Sequence, residues 1–138
     1  MRPLLARAAV GTAAGVVGAL VVYAIARAAS GALVVTPPGQ ATTEIGAAPV
    51  VVATVVGGLI GLVLALVAAR TPRPRTVFLA VGVVGTLVSF ASPFSSAEET
   101  STALWLNVMH VVVAVAVLGA LATVLPERRA GAVQRGRA

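Results

Sequence analysis

An all-α membrane fold is what the sequence predicts: a bundle of four transmembrane helices with short loops and both termini on the same side. Three observations carry this. Hydrophobic residues make up 59% of the 138 residues and charged residues 10%, against roughly 25% charged in an ordinary globular domain. The charges divide the chain into four uncharged windows, 8–26, 45–69, 76–97 and 100–126, each 19 residues or longer. Nine of the ten arginines then fall on one side of a chain that crosses four times, with Arg27 the exception.

Each window is long enough to cross a bilayer core of about 30 Å as a helix rising ~1.5 Å per residue. Hydrocarbon offers the backbone no water, so only helices and closed barrels span it, and none of the windows alternates as barrel strands do. Arg2 and Arg7 precede the first window, Arg70, Arg73 and Arg75 lie between the second and third, and Arg128, Arg129, Arg135 and Arg137 follow the fourth. Glu44, Glu98 and Glu99 lie on the opposite side. By the positive-inside rule both termini are expected in the cytoplasm. Lysine is absent, and with the bias to alanine, valine and glycine this points to a GC-rich bacterial genome and a cell (inner) membrane location. A net charge of +6 raises the question of nucleic acid, but no basic surface interleaved with aromatics is present, so no nucleic-acid partner is expected.

A single domain over 1–125 is expected, with helices at about 5–30, 48–69, 76–92 and 100–125. The start, MRPLLARAAV, has the basic residues of a secretory signal, but the uninterrupted core that follows exceeds the usual h-region of about 7–15 residues, so a retained helix is expected. Pro37-Pro38-Gly39 marks a turn in the first outer loop, 31–47, and Pro49 suits the first turn of the second helix. RTPRPR, 70–75, is a tight connection that makes the second and third helices an antiparallel hairpin. Pro93 is expected to end the third helix. Ser95 with Glu98, and Ser96 with Glu99, fit capping boxes before the fourth. Pro126 closes that helix, and 126–138 reads as a basic, disordered cytoplasmic tail, a topology anchor or a contact for anionic headgroups.

Lipid tails are as apolar as leucine, so membrane helices associate by close packing and interhelical hydrogen bonds. Small residues recur four apart in every window: Gly11 and Gly15, Ala14 and Gly18, Gly57 and Gly61, Gly82 and Thr86, Ala116 and Ala120. On the fourth helix Ala103, Asn107, His110, Ala114, Val117 and Leu121 share one face. Asn107 and the only histidine, His110, are its polar members and are expected to face inward, toward Thr86 and Ser89. With Tyr23 and Arg27 of the first helix these six residues form a candidate polar pocket opening to the outside, roofed by Glu44, Glu98 and Glu99. The alternative is that they are interhelical glue. Arg27 reads as snorkelling outward, or as pairing with Glu44 or an anion, and Trp105 as an interfacial anchor.

The residue inventory excludes much chemistry. Cysteine is absent, which removes disulfides, thiolate metal sites and thiol redox. A metal site needs three or four ligands, and a lone histidine supplies one, so neither metal nor cofactor is expected. The outer carboxylates lie in loops and no nucleophile has an adjacent base, so an enzyme is not expected. No window contains an acidic residue for proton coupling, which argues against the four-helix small multidrug transporters. The runs LVSFASPFSS and TALWLNVMHVVVAV, with EIGAAPVVVATVVGGLIGLVLAL upstream, resemble a family of small four-helix integral membrane proteins from high-GC Gram-positive (actinobacterial) bacteria, a domain of unknown function. The likeness covers about 8–125 and is most specific at Ser89 to Pro93 and at Met109-His110. It implies the same four-helix fold and a shared Met-His pair, and it brings no catalytic role. The expected function is a non-enzymatic bundle that interacts with lipid, a partner membrane protein or a second copy of itself. The alternative is a small transporter or ligand-binding protein using the pocket around His110.

Overall fold

In the computed structural model, which describes residues 1–127, the expected windows become helices α1 (Arg2–Ser30), α2 (Ala47–Ala68), α3 (Pro74–Ser89), α4 (Ala91–Ser96) and α5 (Thr100–Ala122). Residues 128–138 of the expected tail lie outside the described residues. Four spans, Arg2–Ser30, Ala47–Ala68, Pro74–Ser96 and Thr100–Ala122, are long and apolar enough to cross a membrane.

The third span departs from expectation at Pro93. This proline does not end the helix: the span is interrupted only at Phe90, whose backbone keeps helical angles (φ −65°, ψ −22°), and continues as α4, with Pro93 buried in its first turn. A first-turn residue has no carbonyl to donate to, so a missing N–H does no harm there. The expected capping boxes also do not form. Ser95 and Ser96 donate instead to the Ser92 carbonyl (2.9 and 2.8 Å), and Glu99 itself is the N-cap of α5.

Short links force antiparallel neighbours. The RTPRPR connection holds the end of α2 through Thr71, whose N–H and hydroxyl both donate to the Ala68 carbonyl (2.9 and 2.7 Å), and Pro74 opens α3. As a result the start of α1, the end of α2, the start of α3 and the end of α5 meet in one apolar cluster, built on Ala8, Ala65, Phe78 and Leu121. Arg2, Arg7, Arg70, Arg73 and Arg75 therefore gather at this end. A second cluster, of Ala19, Ala26, Leu33, Val50 and Met109, closes the opposite end. No residue of α3 belongs to it, and α3 with α4 is the least embedded span.

Where a loop was expected, 31–47 contains a hairpin. Strands β1 (Val34–Val35) and β2 (Thr43–Glu44) pair antiparallel, Val34 with Glu44 and Val35 with Thr43. The turn signal is real: Gln40 N–H donates to the Pro37 carbonyl (3.0 Å), with Pro38 second and Gly39 third at φ 74°, the pattern of a type II turn. The hairpin is tied to the α4–α5 connection by a bridge between Val35 and Ala97 and by Thr36 N–H donating to the Ser96 carbonyl (2.7 Å).

Small residues decide how closely the helices approach. α1 packs most extensively on α5, and a Cβ added at Gly11 would lie 2.9 Å from both the Ala116 carbonyl oxygen and Ala120 Cβ. Two of the predicted small-residue pairs thus face each other. Gly61 of α2 receives Val117, and Gly82 of α3 receives Leu118. On α2 the closest seat for α1 is Gly58, under Thr12, and not its neighbour Gly57. Gly11→Ala is expected to lower stability by about 1–3 kcal/mol, because backbone opposes the new methyl. Gly85→Ala, with nothing within 4 Å, is expected to be neutral or slightly stabilising. Unfolding in detergent, followed by circular dichroism, measures both.

Candidate functional site

Helical geometry explains where α5 puts its polar residues. Val117 sits on Gly61 of α2 and Leu118 on Gly82 of α3, and at ~100° per residue His110 falls between their two directions. The predicted stripe is correct in register: Ala103, Asn107, Val117 and Leu121 are buried and Ala114 is half-buried. His110 is the correction. It is exposed, at a level where α3 contributes no residue to the apolar cluster. Its Nδ1 lies 2.8 Å from the Leu106 carbonyl of its own helix. Ten residues from the start of α5, it stands ~15 Å along the helix, near mid-span.

Asn107 points within about 20° of the Leu118 direction, toward α3 and α4. It is 8% exposed, and neither its amide nitrogen nor its oxygen has a hydrogen-bond partner among the described residues. An unmet buried polar group costs ~1–3 kcal/mol.

The other four candidates are engaged elsewhere. Thr86 donates to the Gly82 carbonyl and Ser89 to the Thr86 carbonyl (2.8 and 2.7 Å), so both satisfy themselves within α3. Tyr23 donates its hydroxyl to the Ile45 carbonyl (3.1 Å). Arg27 pairs with Glu44, one of the two fates expected for it. No side-chain to side-chain hydrogen bond joins any two of the six among the described residues. Leu33, fully buried beneath the hairpin, is part of the apolar cluster that Tyr23 packs against.

The outer carboxylates are fasteners. Glu98 Oε1 accepts from Thr36 (3.0 Å) and Thr42 (3.3 Å), stitching the hairpin to the approach of α5, and Glu99 accepts from Ser101 (3.0 Å). Trp105 Nε1 donates to the Ser30 hydroxyl (3.0 Å), linking α5 to the end of α1. The hairpin was signalled in the sequence by β-branched residues on both sides of Pro-Pro-Gly. Its partner across sixty residues, Glu98, was not signalled.

Two open grooves lie away from the six candidates. One, of about 580 Å³, runs between α1 and α2 past Thr12 and Gly58 and is otherwise apolar. The other, of about 830 Å³, lies at the arginine end of α3. Among the described residues no group of three His, Asp or Glu side chains is placed to hold a metal ion.

Four helices long and apolar enough to cross a membrane, with Thr54, Thr86 and Ser89 bonded back onto their own backbones, are the features of a membrane protein. The chain belongs to a family of unknown function, DUF6069, which matches it over residues 1–127. No curated protein and no solved structure matches it.

Asn107→Leu is expected to hold or raise stability, because it removes two unmet polar atoms at similar volume. Equilibrium unfolding in detergent checks this. A loss of more than about 1 kcal/mol would mean that the amide has a partner.

Proposed function

We propose that the protein is a non-enzymatic four-helix bundle of a bacterial cell membrane, with both termini cytoplasmic, whose role is to bind lipid or a partner membrane protein. The observation that carries this reading is how its intramembrane polar groups are used. Thr54, Thr86, Ser89 and His110 all bond to carbonyls of their own helices, an arrangement that stabilises helices and assembles no reacting centre. The surface left for partners is apolar. Val81, Val83, Val84, Leu87 and Val88 of α3 are all exposed, and α3 is the helix least committed to its neighbours. Orientation follows from the arginines at one end.

A second reading, a small transporter or ligand-binding protein using a polar pocket around His110, is favoured by the unpartnered amide of Asn107 one turn away on the same helix. The two readings separate at His110→Ala. On the first, stability stays within about 0.5 kcal/mol, as for a surface substitution, and the molecules that co-purify are unchanged. On the second, stability is equally unmoved but a bound small molecule disappears from the native mass spectrum. Orientation is tested separately by a reporter fused to the C-terminus, which is expected to report the cytoplasm; a periplasmic or extracellular signal rejects it.

A further inference from the structure

The groove at the start of α3 has a polar mouth and an apolar floor. Arg73, Arg75 and Thr76 form the mouth, and Leu79, Ala80, Val83 and Val84 continue it along one side of the helix. Arg73 forms no ion pair among the described residues. Arg75 is tied to the chain that follows α5, its backbone N–H donating to the Pro126 carbonyl (3.3 Å) and its guanidinium to Glu127 (3.2 Å). The Thr76 amide, in the first turn of α3, has no acceptor within its own helix.

The dimensions match one leaflet. From Arg73 to Val84 the helix rises ~16 Å, and half of a hydrocarbon core is ~15 Å. Cationic groups thus stand at headgroup level above an apolar track one acyl chain deep.

We propose that this groove binds a phospholipid with an anionic headgroup. Its phosphate sits among the Arg73 and Arg75 guanidiniums and the Thr76 amide and hydroxyl, and one acyl chain lies along Leu79 to Val84. Charge selects the occupant: among the described residues two arginines face a single carboxylate, Glu127, so the mouth keeps an uncompensated positive charge that a zwitterionic lipid neutralises less well. Glu127 acts as a competitor that the phosphate displaces from Arg75. The proposal rests on the chain spanning a membrane with its arginine end at the headgroups.

The test is native mass spectrometry of the protein ejected from nanodiscs containing equal amounts of phosphatidylglycerol and phosphatidylcholine. The wild type is expected to retain phosphatidylglycerol preferentially. Arg73→Gln and Arg75→Gln should each reduce that preference about fivefold, and Glu127→Gln should increase it. Ala80→Trp, which keeps every charge but fills the track, should abolish retention while the protein still unfolds at the wild-type temperature. Equal retention of the two lipids by the wild type overturns the proposal. So does a preference that survives Ala80→Trp, which would place the lipid on the other arginines, or a lipid-free dimer, which would give the groove to a second copy. Failure to incorporate into nanodiscs at all would reject the membrane reading itself and is distinguishable from each of these.

Discussion

The close approach of α1 to α5 at Gly11 is the contact on which the remaining packing depends. Between helices in lipid there is no hydrophobic drive, so attraction comes from dispersion, which a gap of even 1 Å weakens severely. Gly11 lets the α1 backbone rest against Ala116 and Ala120. That seat sets the rotation of α5, and the rotation aims Val117 into the notch at Gly61 of α2 and Leu118 into the notch at Gly82 of α3. Three interfaces are thus keyed to one helix.

The same rotation explains the odd exposure of His110. Packing is tight where the apolar cluster around Phe78 joins all four long helices, and looser where α3 drops out. A helical wheel assigns a residue its direction, but whether a neighbour stands in that direction depends on another helix's tilt. Asn107 and His110 share a stripe, yet Asn107 is buried and His110 is exposed.

Much of the fold was legible in the residues. The four windows, the RTPRPR hairpin, the Pro-Pro-Gly turn and a small-residue face on each helix all follow from length, charge and sterics, whereas which faces meet, such as Gly11 on Ala116 and Ala120, does not. Pro93 misled because a proline is read as a stop, whereas an interruption of the helix three residues earlier, at Phe90, makes it a first-turn residue. The β-hairpin and its fastening by Glu98 depend on contacts between 34–44 and 96–98, which no local pattern encodes. The polar pocket around His110 was inferred from shared faces alone. Its members reach nearby carbonyls first, since an acceptor one turn away is always within range and a partner on another helix is not. The groove beside Arg73 went unread because it needs α3 to stand apart from its neighbours.

That α1 and α5 meet backbone to backbone inside the membrane is tested most directly by oxidative cross-linking, for which a chain without cysteine is already suited. A Cβ at Gly18 would lie 2.6 Å from Val112 Cγ1. The double variant Gly18→Cys, Val112→Cys is expected to form an intramolecular disulfide in native membranes, and the pair Gly85→Cys, Gly119→Cys, both in open space, is expected to remain reduced. No cross-link at 18 and 112, or a cross-link found only between two chains, would contradict this packing.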